Sequence, residues 1–173
     1  AMGKIKLQIP QFDYKNLTWV KEDNVTILDR ADEFEKQNLQ YIKVGYNNLN
    51  SMYYRAFEVS EDIHNFCKTL FPRYSVGVMK QPPGQTLPSH EDTFFKFAKT
   101  NDIDPYQCCR VNIFLEDWQS GHYFEINEKS VLHWKRGDAI IIRRDQMHLS
   151  GNMGMTTKYT MQVTGVYDEF TWR

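Results

Sequence analysis

The chain has 173 residues, of which 41% are hydrophobic, 14% aromatic and 25% charged, enough for one domain with a sizeable core. Its 21 basic and 22 acidic side chains leave a formal net charge of -1, a balance that fits neither a basic nucleic-acid footprint nor an acidic disordered tail and leaves room only for a local basic groove. The longest apolar runs are only a few residues, as in Ala139-Ile140-Ile141-Ile142, far short of a membrane span.

Ala1-Met2-Gly3 reads as an addition ahead of the natural start, and no charged-then-apolar leader follows it, so a soluble cytoplasmic protein is expected. Three cysteines are too few, and the wrong number, for a disulfide framework. Cys108 and Cys109 are adjacent and read as small core residues in a reducing compartment.

Residues 1–73 are mixed. Around Asp29 to Asn38 charged residues surround Leu28, Ala31 and Phe34, a weak helical signal. A better helix follows Ser60, a suitable N-cap, with Ile63, Phe66, Cys67 and Leu70 at helical spacing. Pro72 ends it.

From residue 74 the pattern changes to short β-branched and aromatic stretches separated by Gly, Pro, Asn and Asp. Strands are predicted near 74–80, 86–93, 107–116, 121–126, 130–134, 138–143, 146–150 and 157–166. Gly137-Asp138 marks a tight turn before the Ile-rich strand. Eight short strands after a helical part point to a mainly β (α+β) fold. The expected architecture is a double-stranded β-helix of jelly-roll or cupin type, its core at about 74–166, in one domain spanning 1–173. The immunoglobulin sandwich competes, but its Cys, Trp, Cys pattern is absent.

Of the five histidines only His90 is followed two positions later by aspartate, in His90-Glu91-Asp92. On a strand the two side chains point to one face, so both reach one metal. His148 can arrive from a distant strand as third ligand. Two imidazoles and a carboxylate leave coordination positions open, as non-haem Fe(II) oxygenases require. Ten residues further on, Lys158 shares a face with Thr160, Gln162 and Thr164. A cation facing a barrel interior is costly without an anionic partner, and a dicarboxylate would supply one.

These residues, together with Arg110–Gly121 and with Trp134-Lys-Arg-Gly-Asp138 before the Ile-rich strand, resemble the 2-oxoglutarate- and Fe(II)-dependent oxygenases, within them the compact prolyl-4-hydroxylase-like group. The likeness covers roughly residues 74–166. It implies that His90, Asp92 and His148 hold Fe(II), that 2-oxoglutarate chelates the metal, and that Lys158 and Thr160 take its far carboxylate. O2 is then the oxidant, and a C–H bond is hydroxylated while the keto acid becomes succinate and CO2. Two tyrosines common near the cosubstrate in animal relatives correspond to Lys80 and Phe114. With both missing, Asn112 is a candidate cosubstrate contact.

Arg110, Phe95 and His122 are candidate substrate contacts, with pairing to an acid as the alternative for Arg110, and Tyr46, Tyr53, Tyr54 and Arg55 could add others. Phe94, Phe95 and Phe97 form either a hydrophobic lid or plain packing. His133 reads as packing, His64 and the Arg143-Arg144 pair as solvated. A prolyl or other aminoacyl side chain in a peptide is the first substrate expected, a small metabolite the next. Without a basic stripe interleaved with aromatics, no nucleic-acid partner is expected. Two other readings stay open: a cupin-like metalloenzyme working without 2-oxoglutarate, and a non-catalytic jelly-roll binding module. Nothing in the sequence specifies an oligomeric state.

Overall fold

The computed structural model describes residues 3–23 and 33–171. The described elements are β1 (Ile5–Lys6), β2 (Val20–Asp23), α1 (Glu33–Lys43), β3 (Met52–Ala56), α2 (Glu61–Leu70), β4 (Tyr74–Gln81), β5 (Thr86–His90), α3 (Phe95–Asn101), β6 (Cys108–Phe114), β7 (His122–Ile126), β8 (Lys129–Val131), β9 (Asp138–Arg143), β10 (His148–Asn152) and β11 (Lys158–Val166). Short 3-10 turns occupy Tyr14–Asn16, Pro105–Gln107 and Tyr167–Glu169. The strands form two antiparallel sheets, one of order β1-β9-β6-β11-β4-β3-β2, the other β5-β10-β7-β8. This is the predicted mainly β fold, a double-stranded β-helix. Among the described residues no helix is long and apolar enough to cross a membrane.

Alternation along the strands sorts the side chains into two layers. Cys109, Val111 and Ile113 of β6, with Met161 and Val163 of β11, face outward from the larger sheet. There they pack under α2 through Ile63, Cys67 and Leu70, which recur along one helix face. Phe71, just past the helix, lies so close to β11 that a Cβ on Gly165 would come within 2.3 Å of its ring. The opposite residues face the space between the sheets. Phe114, Phe124, Ile126, Trp134, Ile140 and Ile142 fill one end of it, with Phe114 stacked on Trp134 at 3.9 Å. The other end stays open as a cavity of about 1040 Å³.

The mixed N-terminal part contributes strands as well as helices: β1, β2 and β3 extend the larger sheet. β1 attaches through Lys6, paired with Asp138 at 2.9 Å. Gly137 at φ 91° lets the turn press against Leu7, whose carbonyl would lie 2.6 Å from a Cβ there. The helical signal at 29–38 is met by α1 from residue 33, and its start at 29–32 lies outside the described residues. Ser60 precedes α2 in extended conformation, but its hydroxyl makes no cap; its carbonyl accepts from Ile63 and His64 instead. All three cysteines are buried free thiols, as expected.

Candidate metal centre

β5 ends on His90 and β10 begins on His148, and the antiparallel register makes them direct partners. Each ring is anchored by the backbone two residues earlier: His90 Nδ1 lies 2.7 Å from the Pro88 carbonyl, His148 Nδ1 3.0 Å from that of Gln146. A carbonyl only accepts, so both Nδ1 atoms carry a hydrogen, and Nε2 is the atom of each ring that can present a lone pair to a metal. Both Nε2 atoms lie 3.5 Å from Asp92 Oδ1. The strand stops three residues earlier than predicted, so Asp92 sits in the segment after β5, yet its carboxylate still reaches the same point.

Asp92 is buried, and Arg110 Nη1 lies 3.1 Å from its other oxygen, Oδ2. Burial alone would raise the Asp92 pKa, but the Arg110 charge, followed by His148 and His90, outweighs it and holds the carboxyl well below its usual range. Arg110 is fixed in turn by Thr164 Oγ1, to which its Nε donates at 3.1 Å, and by the Phe94 ring, 5.3 Å from Cζ. Glu91, between the two ligands, pairs with Arg144 at 2.7 Å. The Arg143-Arg144 pair is thus not a solvated turn: Arg144 braces the ligand segment, and Arg143 stacks on Tyr167 at 3.6 Å.

Lys158 stands in the same cavity, buried, with no ion pair or hydrogen bond to any described residue. Its Nζ lies 5.7 Å from the ring centres of both Phe124 and Trp134. Burial pulls its pKa down to about 7. Thr160, Gln162 and Thr164 follow it along the cavity floor, as the alternation predicted, and Asn112 and Arg110 line it from β6. Ser150, also in the lining, was missed, although it lies two residues from His148 on the same strand and so shares its face.

The remaining candidates divide. Arg55 and Tyr53 line the cavity, whereas Tyr46 and Tyr54 are absent from its lining. Phe95 lies at the mouth, 41% exposed. Phe94 and Phe97 pack with Ala98, Cys108 and Ile103, which favours packing over a lid for these two. His122 does not line the cavity; its Nε2 contacts the Thr156 carbonyl at 2.9 Å and its ring lies 6.5 Å from Trp134, behind that side chain. Lys80 faces outward, its Nζ 4.5 Å from the Trp19 ring, and the neighbouring residue that faces the cavity is Met79. His64 is not simply solvated either, since Nδ1 pairs with the Tyr74 hydroxyl at 2.7 Å.

A metal ion fits this donor set. Two bare imidazole nitrogens and a carboxylate oxygen converge within 4.8 Å of one another, the one such group among the described residues. Three lone-pair-bearing atoms facing each other repel unless a cation lies between them.

No protein-family model matches the sequence, and no curated protein matches it. Solved structures with general likeness include a predicted oxalate decarboxylase from Thermotoga maritima, 18% identical with TM-score 0.45, covering 67% of this chain and 82% of that one. The cupin domain of Cnp3 from Schizosaccharomyces pombe is 13% identical with TM-score 0.44, covering 67% and 66%. KdgF from Halomonas sp. is 10% identical with TM-score 0.43, covering 65% and 76%. All three scores lie below 0.5, and the fold assignment stands on the sheet order itself.

Proposed function

We propose that the protein is an Fe(II)- and 2-oxoglutarate-dependent oxygenase that hydroxylates a C–H bond. The observation that carries this reading is Lys158, a buried cation with no ion pair or hydrogen bond among the described residues, in the cavity that also holds the His-Asp-His group. An ammonium in that position is costly until an anion arrives. A dicarboxylate spanning from Lys158 to the metal ligands satisfies both ends, which a cupin-like reaction without 2-oxoglutarate does not explain.

His90 Nε2, His148 Nε2 and Asp92 Oδ1 would hold the iron. When bound, Fe(II) supplies the activation of O2, so that 2-oxoglutarate, O2 and R–H become succinate, CO2 and R–OH. The protein's own groups supply binding and orientation. Arg110 keeps Asp92 ionised and aimed. Lys158 takes the far carboxylate of the cosubstrate, with the hydroxyls of Thr160 and Ser150 and the Asn112 amide as further donors. The stacked rings of Phe114 and Trp134, with Phe124, close the inner end against water. The mouth, lined by Phe95 and Phe57, is left for substrate, with a prolyl or other aminoacyl side chain as first choice and a small metabolite next.

The test is succinate release from 2-oxoglutarate in the presence of Fe(II) and O2. Wild type should produce it, Asp92→Ala should not, and Lys158→Ala should do so only at much higher 2-oxoglutarate. Equal half-saturation in wild type and Lys158→Ala would reject the role given to Lys158.

A further inference from the structure

Gln162 and Asn112 are direct cross-strand partners on β11 and β6, and both line the cavity. Arg55 reaches them from β3. On the intervening strand the residue facing Gln162 in register is Gly77, which has no side chain to stand between them. Arg55 Nη2 donates to Gln162 Oε1 at 3.1 Å, and Gln162 Nε2 donates to Asn112 Oδ1 at 3.4 Å. Asn112 is 3% exposed, and its Nδ2 is buried without a hydrogen-bond partner among the described residues.

The direction of this chain is not arbitrary. A guanidinium carries donors only, so the atom of Gln162 that faces Arg55 must be the oxygen. Its amide nitrogen is then committed to Asn112, whose oxygen must face it. Asn112 Nδ2 is left as a donor with nothing to donate to. Arg55 has no carboxylate partner among the described residues that would draw it away, and its Cζ is held 5.8 Å from the Tyr53 ring and 5.6 Å from the Phe57 ring.

We propose that Arg55 is a positioning residue which, acting through Gln162, locks the Asn112 amide with Nδ2 as a donor to an oxygen of bound 2-oxoglutarate. The assignment rests on the proposed function. Along the inner face, Asn112 lies one inward position from Arg110, beside the metal ligand Asp92, while Gln162 lies two inward positions from Lys158. The donor therefore stands along the path between the two ends of the cosubstrate. The 2-oxoglutarate dianion has five oxygens and no donor hydrogen, so it matches a wall of donors. A reversed amide would set the Asn112 oxygen against it, which costs both the hydrogen bond and a repulsion.

The experiment is calorimetric titration of 2-oxoglutarate into the Mn(II)-loaded full chain, with thermal melting of each variant alongside. Gln162→Glu keeps an acceptor for Arg55 but gives Asn112 no donor, so the Asn112 amide turns to donate to the new carboxylate. The melting temperature should be retained or raised while Kd for 2-oxoglutarate rises at least about tenfold. A loss of mere structural support would instead lower the melting temperature together with the affinity. Arg55→Lys, again a pure donor, should keep Kd within about threefold of wild type. An unchanged Kd in Gln162→Glu overturns the proposal. If that variant does not fold, Arg55→Met replaces it: freeing the relay should weaken binding about three- to fivefold, and an unchanged Kd again overturns the assignment. Absence of 2-oxoglutarate binding in wild type, identical to Lys158→Ala, is a different result and rejects the oxygenase reading itself.

Discussion

His90 and His148, 58 residues apart in the chain, face each other as direct cross-strand partners with ring centres 4.1 Å apart. The register of β10 against β5 thus builds two of the three donors, and Asp92 completes the set from the segment beyond. Because the donors exist only in the folded chain, a metal should stabilise it. Mn(II) at 100 times its Kd should contribute about 2.7 kcal/mol, a rise of roughly 5–10 °C in melting temperature for a chain of this size. Chelator should reverse the rise, and His148→Ala should show none.

Lys158 opposes stability in the ligand-free protein. Replacing it with Met keeps the volume and removes a buried charge, so Lys158→Met should stabilise the apo fold by about 1–3 kcal/mol. The same change should weaken 2-oxoglutarate at least about a hundredfold. Denaturant unfolding and calorimetry measure the two effects. A destabilised Lys158→Met would mean that the ammonium has a partner in the apo protein.

The pH dependence follows from the same side chain. Burial lowers its pKa from 10.5 to about 7, so between pH 7 and 10.5 the folded apo protein binds fewer protons than the unfolded chain. The contribution of Lys158 to stability therefore improves as pH rises through that window and is lost again as pH falls through 7. Anion binding has the opposite sign, since only the charged form attracts a carboxylate. Affinity for 2-oxoglutarate should be greatest below pH 7 and fall above it, with proton uptake on binding. Calorimetry in buffers of different ionisation enthalpy reads that uptake directly.

Arg110 supports the metal without touching it. Arg110→Leu removes the charge that offsets burial of Asp92 and frees Oδ2, so metal affinity should fall about ten- to a hundredfold. The low-pH loss of metal binding should move to higher pH as the Asp92 carboxyl becomes easier to protonate. An unchanged acid limb would remove Arg110 from the site.

The alternation of β11 was legible in sequence because one register satisfies both of its faces. Tyr159, Met161 and Val163 belong to the packed outer layer, and Lys158, Thr160, Gln162 and Thr164 to the cavity. His90 and Asp92 were legible from their spacing, and His148 through the resemblance; Asp92 meets both rings although it lies beyond the end of β5. β2 could not be read, since Val-Lys-Glu-Asp has no alternation and pairs only along an edge. Nor could the relay from Arg55 be read, because a long polar side chain reaching across the intervening strand β4 leaves no periodic trace. The misplacement of Lys80 has a plain cause: a one-residue shift on a strand exchanges the two faces, and Met79 rather than Lys80 looks inward.

The central claim is that one cavity holds a metal by His90, Asp92 and His148 and a keto acid by Lys158. Anaerobic titration of the Fe(II)-loaded protein with 2-oxoglutarate, followed by visible absorbance, tests it most directly. A weak metal-to-ligand band should appear as the keto acid chelates the iron, vanish in His148→Ala, and require far more 2-oxoglutarate in Lys158→Ala. Iron binding with no band at any 2-oxoglutarate concentration would contradict the account.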